Sequence, residues 1–424
     1  MPDDGKLNVL FFDLNAYFAS VEQQLRPELR GKPLGIVPLD VETTCCITCS
    51  YEARAFGVRT GMGLREAKER CPGLVVVPAR PRIYTEMHHQ ILNAIDTVIP
   101  IDQVHSIDEL SVRLLAHERE RESAVKIAKD IKRAVAAHAG EYLTSSIGIA
   151  PNRMLAKLAG DMHKPDGLTV IERKDLPEAL YKLELTDFPG IADAMERRLH
   201  RAGIRTVQEL CACSKTRMRE AWGSIVGEQW WHYLQGHDVR EKATTRRTIG
   251  HQHVLPPEYR TKARAREVLV RLVAKASTRA RKLGYHARQM TVFARVLDRA
   301  LSNPRRVGWK HRELFEESRD SRLLTDLANR AWDRFPEAEP LLVGVVLHDL
   351  VPDCSITLPL FERDAKERAL SDVIDEANVR FGVNALYTAS MQNARTTAPR
   401  RISFGNIPDL DIPDVDERYT MSEV

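Results

Sequence analysis

The sequence has no apolar run near the roughly 20 residues that a membrane-spanning helix needs. Its first residues are acidic and lack the basic segment that begins a secretory signal, so we expect no signal peptide. Its seven cysteines form no repeating framework, which favours free thiols in a reducing compartment. No internal repeat or low-complexity tract is present. These absences argue against membrane-spanning, disulfide-rich and repeat proteins, and they predict a cytoplasmic globular protein without a membrane partner.

The length of 424 residues predicts roughly two to four domains. The net charge is only +4, but it is unevenly distributed along the chain. Residues 241–310 contain eighteen lysines and arginines against four acids, whereas residues 405–424 contain six acids and one base. The first stretch predicts a surface that binds a polyanion, and the second predicts a mobile acidic tail. The alternative for the basic stretch is a helix with a charged outer face.

Hydrophobic periodicity divides the chain into regions of different type. Strands and helices alternate as far as about Ile171, and residues 173–235 have helical spacing throughout. A basic link follows, and residues 248–350 combine strands with two helices. Residues 365–395 predict a further helix and a short segment. The expected class is α+β with several domains.

Three acids lie beside predicted strands, at positions where catalytic residues of α/β sheets often collect. The apolar run in "VLFFDLNAYFASVEQ" ends on Asp13, at the exit of a predicted buried strand, and Asp108 and Glu109 lie between two strand-like runs in "HSIDEL". If those strands are neighbours, the three carboxylates form a cluster that repels itself unless cations neutralise it. Hard divalent ions, Mg²⁺ above all, suit such oxygen ligands. The alternatives are a helix-capping acid at 13 and a solvated hairpin turn at 108–109.

Two further stretches carry groups that suit phosphate. Tyr51 and Arg54 in "SYEARAFGVRTGM" are three residues apart and share one face of a helix, where an arginine fork matches phosphate oxygens. Lys164 in "AGDMHKPDGL" precedes a turn and could project at an anion, or it is an ordinary surface lysine. The CxxC pair Cys46–Cys49 lacks a second pair at zinc-site spacing and predicts buried thiols. We expect His88 and His89 to be solvated.

In this order, the motifs "FFDLNAYFASVEQ", "SYEARAFGVRTGM", "SIDE" and "SIGIAPNRMLAKLAGDMHKPDGL" closely resemble those of Y-family translesion DNA polymerases, of the bacterial DNA polymerase IV type. The resemblance covers roughly residues 7–350 and is strongest in the first 171. It implies a right-hand polymerase with palm, small fingers, a helical thumb with a helix-hairpin-helix, and an α/β little finger. It also implies two Mg²⁺ ions, primer-template DNA and deoxynucleoside triphosphates as ligands.

The resemblance assigns roles to the residues of the first motifs. Asp13 and Asp108 would bind both metal ions, Glu109 would bind the ion at the primer hydroxyl, and the backbone carbonyl of Leu14 would complete the other. Phe18 resembles the steric gate, a ring that would collide with a ribose 2′-hydroxyl.

The neighbouring side chains would hold the nucleotide. Tyr17 would pack beside the incoming sugar, and Tyr51, Arg54 and Lys164 would hold the triphosphate. Asn15 stands where many relatives have a second acid, and Arg80 and Tyr84 match family positions to which we assign no catalytic role.

The resemblance also predicts the domain boundaries, as follows: palm 1–23 and 81–171, fingers 24–80, thumb 172–239, basic linker 240–249, little finger 250–350, C-terminal extension 351–395 and mobile acidic tail 396–424. "FPGIADAMERRLHRAGI" resembles the helix-hairpin-helix, in which the backbone at Gly190 would approach a DNA phosphate. Candidates for DNA contacts in the basic stretch are Arg246, Arg247, Arg305, Arg306 and Lys310. "TLPLFE" resembles a sliding-clamp peptide with Leu358, Leu360 and Phe361 as contacts, or it is a strand end packed into its domain.

The expected function is low-fidelity DNA synthesis past damaged bases, without a proofreading exonuclease, by a monomer that lies near the nucleoid of a bacterium. A sliding clamp is a candidate partner. The alternative is a catalytically silent relative that serves as an adaptor between DNA and the clamp. Such relatives tend to lose the metal-binding acids, and Asp13, Asp108 and Glu109 are all retained. A third hypothesis, a basic DNA-binding protein with structural acids, predicts that loss of Asp108 changes no activity.

Overall fold

The computed structural model describes residues 6–38, 40–42, 44–239, 245–298, 305–356, 362–382, 384–395 and 397–398. For residues 297–298, 305–306 and 362–369 it describes the backbone alone. The chain divides into two compact units, of which the first comprises Met1–Glu241 and the second begins at Lys242. In the described ranges, no helix is both long and apolar enough to cross a bilayer.

The first unit contains eight strands and ten α-helices within the described residues. The strands are β1 Val9–Leu14, β2 Leu34–Val37, β3 Thr48–Cys49, β4 Val75–Pro78, β5 Gln103–Val104, β6 Glu109–Arg113, β7 Ser145–Ala150 and β8 Leu168–Val170. The helices are α1 Tyr17–Leu25, α2 Tyr51–Ala55, α3 Leu64–Arg70, α4 Pro81–Asp96, α5 Arg121–His138, α6 Arg153–Met162, α7 Asp193–Arg201, α8 Val207–Cys211, α9 Lys215–Trp222 and α10 Val226–Leu234.

The main sheet of this unit has five strands in the order β5-β6-β1-β7-β8, with β1 antiparallel to both of its neighbours. Strand β1 is buried over its whole length, as its continuous apolar run predicts. Leu10, Phe12 and Leu14 join one core, which includes residues of α4 and α5. Val9 and Phe11 join the core on the opposite face, beside α6. Because side chains alternate along a strand, Asp13 shares the face of Val9 and Phe11.

A smaller sheet lies between α1 and α4 in the sequence. Its order is β3-β2-β4, with β2 antiparallel to β3 and parallel to β4. Cys46, Cys49 and Cys71 are buried in its core together with residues of α2 and α3. The prediction that the CxxC pair consists of buried thiols is therefore confirmed.

Helices α7 to α10 form the all-helical region that the periodicity predicts for residues 173–235. Leu199, Leu210 and Met218 bury their side chains in the same core as α6. Capping residues begin two of these helices: the side chain of Thr206 accepts a hydrogen bond from the backbone of Glu209, and that of Ser214 accepts one from Arg217.

The second unit is an antiparallel sheet covered by helices. Its elements are β9 Thr248–Val254, α11 Lys262–Lys282, β10 Tyr285–Asp298, β11 Arg305–Ser318, α12 Ser321–Asp333, β12 Pro340–Pro352 and α13 Glu362–Phe381. The strand order is β11-β10-β12-β9. The apolar faces of α11 and α12 pack against Met290, Val292 and Ala294 of β10, which forms one core. Both units combine sheets with helices, so the predicted α+β class is confirmed.

The C-terminal extension is attached to this unit by a buried ion pair. Arg281 of α11 has 5% of its side chain exposed and binds Asp375 of α13 through Nε and Nη2, at 2.6 and 3.0 Å. The buried hydroxyl of Ser371 donates to Asp320, the residue that caps α12. The clamp-like residues Leu358, Leu360 and Phe361, and the acidic tail from residue 399 onward, lie outside the described residues.

Gly148 of β7 allows a close approach between the main sheet and α6. A methyl group added to Gly148 would overlap the carbonyl oxygen of Ala156 and the backbone nitrogen of Gly160. We expect Gly148→Ala to lower the free energy of unfolding by about 3 kcal/mol, because backbone atoms cannot move aside as a flexible side chain can. Chemical denaturation measures this change. Gly73→Ala is the matched control, since no described atom lies within 4 Å of the added methyl group, and an equal loss in both variants would contradict the prediction.

Candidate active site

The turn from β1 into α1 brings an acid and two aromatic residues together. Asp13 and Leu14 end the strand, and Tyr17 begins the helix. Between them, Ala16 adopts a left-handed conformation with φ 47° and ψ 44°, which few residues with a Cβ adopt. Because alanine has a Cβ, this conformation costs about 1–2 kcal/mol, and the surrounding structure must compensate for it.

The pairing of β1 with β6 brings the three predicted acids to one end of the sheet. Asp13 lies directly opposite Glu109 in the antiparallel register, so their side chains point to the same face. The backbone N–H of Leu14 donates to the carbonyl of Asp108 at 2.9 Å. The sequence prediction that the strands of Asp13 and of Asp108–Glu109 are neighbours is therefore confirmed.

Burial makes the negative charges of this cluster costly. Burial raises the pKa of Asp13 to about 7, the ammonium group of Lys164 opposes this rise, and the carboxylates of Glu109 and Asp108 add to it. Burial also raises the pKa of Asp108, although a hydrogen bond of 2.5 Å from the hydroxyl of Ser106 favours its charged form. The cluster therefore needs cationic partners to stay ionised at neutral pH.

Two lysines from the α6 region supply positive charge in this structure. The Nζ of Lys164 lies 2.9 Å from Asp13 Oδ2 and 2.7 Å from Asp161 Oδ1. Lys157 Nζ lies 2.6 Å from Glu109 Oε1. Burial alone would lower the pKa of Lys164, but the carboxylates of Asp13 and Asp161 raise it above its ordinary value. The sequence analysis did not foresee Lys157, which lies one turn from the start of α6 and gives no local signal.

The donor atoms present fit a hard divalent cation in chemistry. Burial destabilises the charges of Asp13 and Asp108, and together with Glu109 they offer carboxylate oxygens, the ligands that Mg²⁺ prefers. Within the described part of the chain, however, no three Asp, Glu, His or Cys side chains are gathered closely enough to hold an ion. Asp13 and Glu109 instead contact the two ammonium groups. A divalent ion would therefore exchange with the lysines at these carboxylates.

The two aromatic residues after the turn pack against α4. Phe18 and Tyr84 stack with their ring centroids 4.6 Å apart and their planes at 17°. The hydroxyl of Tyr17 donates to the backbone carbonyl of Tyr84 at 2.6 Å. Both Tyr17 and Phe18 are 3% exposed. The ring of Phe18 is thus fixed from behind by α4.

The predicted phosphate-binding side chains lie close to the acids. The guanidinium of Arg54 lies over the ring of Tyr51, with its carbon 4.5 Å from the ring centroid. Burial raises the pKa of Tyr51, while the charges of Arg54 and Lys164 lower it and that of Asp13 raises it further. Tyr51 is therefore close enough to Asp13 and Lys164 for their charges to affect its pKa. The first unit thus brings together four predicted residues, namely Asp13, Tyr51, Arg54 and Lys164.

The departure from the family pattern at Asn15 has a structural explanation. The amide of Asn15 donates to the hydroxyl of Ser146 at 2.9 Å, and its Oδ1 accepts the backbone N–H of Asp166 at 2.8 Å. Asn15 therefore ties the turn that follows Lys164 to the sheet. A neutral amide does this without adding a fourth carboxylate to a site that already has too much negative charge.

His88 of α4 holds the turn that carries the acids. The expectation that His88 is solvated was wrong, because this residue is 3% exposed. The apolar core to which α4 contributes covers it. Its Nδ1–H donates to the carbonyl of Ile107 at 2.7 Å, next to Asp108 in the chain. Burial lowers the pKa of His88 to about 4, and the hydrogen bond to Ile107 opposes this effect.

The predicted DNA-binding residues lie on the surface where the structure describes them. Gly190 has a φ of +101°, a conformation that favours glycine, in the hairpin before α7. Arg246 and Arg247 are exposed and precede β9. Lys310 of β11 is exposed and pairs with Phe293, on the face opposite to α11 and α12. The side chains of Arg305 and Arg306 lie outside the described residues.

The sheet face that carries Lys310, opposite to α11 and α12, has two further cations that the sequence analysis did not single out. Arg295 pairs with Gly308 and Arg312 pairs with Thr291, so both side chains share the face of Lys310. Both are exposed. Strand alternation could have revealed them, because the buried residues of β10 occupy the intervening positions.

Comparisons with known proteins agree with this architecture. The model of the impB/mucB/samB family matches residues 12–161, its C-terminal domain matches residues 246–360, and the thumb domain of DNA polymerase iota matches residues 186–238. DNA polymerase IV of Moorella thermoacetica is 30% identical over 400 residues, which cover 90% of this chain and 95% of that protein. DNA polymerase IV of Bacillus anthracis is 30% identical over 410 residues, covering 92% and 94% of the two chains.

Solved structures give the same result. A Y-family DNA polymerase chimera of Dbh and Dpo4 is similar with a TM-score of 0.68 and 25% identity, covering 81% of this chain and 99% of that one. DinB from Sulfolobus solfataricus is similar with a TM-score of 0.52 and 26% identity, covering 80% and 98%.

The sheets, the helical hairpin region and the α/β second unit define a right-hand polymerase fold with palm, fingers, thumb and little finger, so the predicted fold class is confirmed. The chain belongs to the impB/mucB/samB family of Y-family translesion DNA polymerases. The domain boundaries and the roles of individual residues stay predictions.

The buried imidazole of His88 makes stability depend on pH. The native state keeps His88 neutral down to about pH 4, whereas the unfolded chain protonates it below pH 6.5. The unfolded state therefore binds more protons in this window, and stability falls as the pH falls from 6.5 to about 4, by at most about 3 kcal/mol for this residue.

We expect His88→Gln, whose amide can still donate to Ile107, to flatten this part of the stability profile in denaturant titrations at a series of pH values. His117→Gln is the control, because the side chain of His117 is 78% exposed. A profile for His88→Gln with the wild-type slope between pH 6.5 and 4 would contradict the assignment.

Proposed function

We propose that this chain is a DNA-directed DNA polymerase that extends primers past damaged bases, with low fidelity, by two-metal nucleotidyl transfer. The observation that carries the proposal is the antiparallel pairing that sets Asp13 opposite Glu109 and beside Asp108, in a chain of this family. The reaction is in-line attack of the primer 3′-oxygen on the α-phosphate of a deoxynucleoside triphosphate, with pyrophosphate as the leaving group.

Three carboxylates and one carbonyl would hold the metal ions. Asp13 and Asp108 would bind both Mg²⁺ ions, Glu109 would bind at the primer hydroxyl, and the carbonyl of Leu14 would complete the nucleotide side. When bound, such ions favour the ionised primer hydroxyl and neutralise charge on the triphosphate. In the structure Lys157 and Lys164 contact Glu109 and Asp13, so the ions would have to displace these ammonium groups.

The nucleotide would be held by groups that are close to the acids. Lys164 would leave Asp13 and move to the triphosphate, where Tyr51 and Arg54 would also bind it. Tyr17 would pack beside the sugar, and Phe18 would exclude a 2′-hydroxyl. The stacked ring of Tyr84 supports this role for Phe18, since a steric barrier must not move away from the group that it excludes.

The basic groups of the second unit would bind the DNA backbone. Arg246, Arg247 and Lys310 are exposed, and Lys310 shares its sheet face with Arg295 and Arg312. Contacts from such side chains to phosphates are independent of base sequence. Gly190 would let the thumb hairpin approach a phosphate closely. A related solved structure is an insertion ternary complex of Dbh DNA polymerase.

Several parts of the expected function rest on the resemblance alone. These are the contributions of Arg305 and Arg306, docking of Leu358, Leu360 and Phe361 on a sliding clamp, a monomeric state, and a bacterial cytoplasmic location. An adaptor without catalysis stays the alternative. It is less well supported, because all three acids are present and lie at one sheet end.

Replacing a metal-binding acid tests the catalytic proposal. We expect Asp108→Asn to reduce Mg²⁺-dependent primer extension by at least about a hundredfold, because it removes a charged oxygen ligand while keeping the volume. DNA binding, measured by fluorescence anisotropy, should persist. Asp102→Asn is the matched control, since Asp102 is an exposed acid near the same strands. If the wild-type protein binds DNA but does not extend a primer, the adaptor alternative is correct.

The salt dependence of DNA binding tests the basic surface. We expect the double substitution Arg246→Ala with Arg247→Ala to reduce the slope of log affinity against log salt concentration by about 2, because each lost phosphate contact releases about one counterion fewer. Substituting Lys126 and Lys129, two exposed lysines of α5, provides a control of equal charge change. Equal slope changes in the two double variants would refute the assignment.

A further inference from the structure

Glu22 of α1 is a fully buried acid to which the proposed reaction assigns no role. It is 0% exposed and lies four residues after Phe18, so both side chains project from one side of the helix. A buried carboxylate is stable only when it is paired and hydrogen-bonded. Its partners therefore indicate what it does.

The partners that the structure gives Glu22 are two arginines and a tyrosine, whose N–H and O–H groups form directional hydrogen bonds or ion pairs with its carboxylate. Arg80, the residue before α4, donates from Nε to Oε1 at 2.9 Å and from Nη2 to Oε2 at 2.6 Å. The hydroxyl of Tyr84 donates to Oε1 at 2.8 Å. Arg26 approaches Oε2 at 3.6 Å. The fork of Arg80 and the phenol of Tyr84 together fix the orientation of the carboxylate.

These contacts hold Tyr84 at two points. Its hydroxyl is bound by Glu22, and its backbone carbonyl accepts the hydroxyl of Tyr17. The ring between these points is 0% exposed and stacks on Phe18 at 4.6 Å. A rotation of the Tyr84 ring would break the bond to Glu22, and a shift of Phe18 would break the stacking. The network thus limits the positions that Phe18 can adopt.

Stability alone does not explain a charged group at this place. A buried ion pair usually contributes little net stability, because removing both charges from water costs about as much as their attraction returns. An apolar side chain of similar size at position 22 would fill the same space without that cost. What an apolar side chain cannot provide is a directional bond to the phenol of Tyr84.

We propose that Glu22 is a positioning residue which, through Arg80 and Tyr84, fixes the ring of Phe18 and so determines how strongly the polymerase rejects ribonucleotides. The proposal rests on the proposed role of Phe18 as the steric gate. Glu22 is fully buried, and the partners that the structure gives it do not include the carboxylates that would bind metal. Its effect is therefore on sugar discrimination and not on the chemical step.

The decisive measurement is the ratio of kcat/KM for a deoxynucleotide to that for the matching ribonucleotide in single-nucleotide primer extension. We expect Glu22→Gln to lower this ratio by about tenfold, because a loosened ring no longer meets the 2′-hydroxyl at a fixed distance. Tyr84→Phe, which removes one hydroxyl and keeps the ring, should lower the ratio in the same direction by a smaller factor. In both variants kcat for the deoxynucleotide should stay within about twofold of wild type.

Two further variants separate positioning from stability. Val135→Ala removes a buried side chain of α5 from the same core, outside the network, and should lower the melting temperature without changing the ratio. The double variant Glu22→Met with Arg80→Met removes both charges and should be at least as stable as Glu22→Gln. Its ratio should nevertheless stay low. A ratio that follows the melting temperature across this set would overturn the proposal.

Phe18→Ala provides the reference value for a site without the gate. If Phe18→Ala abolishes sugar discrimination while Glu22→Gln and Tyr84→Phe leave it at the wild-type value, the positioning role is wrong and the gate assignment stands. If Phe18→Ala itself leaves discrimination unchanged, the gate assignment fails, and the role of Glu22 fails with it. A graded loss, largest in Phe18→Ala, supports both.

Discussion

The site depends on one structural constraint, the antiparallel register between β1 and β6. This register sets Asp13 directly across from Glu109 and brings the backbone of Leu14 to the carbonyl of Asp108. Two like charges opposite each other on neighbouring strands repel, and burial strengthens the repulsion by removing water. The sheet is nevertheless stable, because apolar residues of β1 pack on both of its faces. The apolar core thus holds together acids that would otherwise move apart.

Much of the surrounding structure serves to balance this charge. Lys157 and Lys164 contact Glu109 and Asp13, and the hydroxyl of Ser106 donates to Asp108. Asn15 ties the turn after Lys164 to the sheet without adding a charge of its own. Replaceable ammonium groups suit a site whose proposed ligands are divalent cations and a triphosphate. Their positive charges favour the ionised carboxylates, and a divalent cation would have to displace them in the proposed reaction.

Helix α4 and the residue before it contact the site through three residues on successive turns. Arg80 at its beginning binds Glu22, Tyr84 stacks on Phe18, and His88 holds the carbonyl of Ile107 next to Asp108. These residues are four apart, so they line one side of the helix. The same helical face therefore supports both the aromatic residues and the acid-bearing turn. This arrangement links the proposed sugar selection to the proposed metal site through a single rigid element.

The sequence alone was sufficient for the α+β class, the alternation of elements and the three acids. The reason is that these features depend on local periodicity and on motifs whose residues lie within a few positions of one another. Asp13 at the end of a strand could be predicted because "VLFF" has no polar residue and must be buried on both faces. Tyr51 and Arg54 could be paired because both lie in one short helix.

Contacts between distant segments could not be predicted in this way. His88 reads as a polar helical residue, and only the packing of α4 against the sheet showed that it is buried. The fork of Arg80 on Glu22 joins residues 58 apart, and Lys157 reaches Glu109 across 48. The sequence determined which side chains could carry charge, because charge is a property of the residue. Only the tertiary structure decided which charges are buried together, because burial and pairing depend on where distant parts of the chain meet.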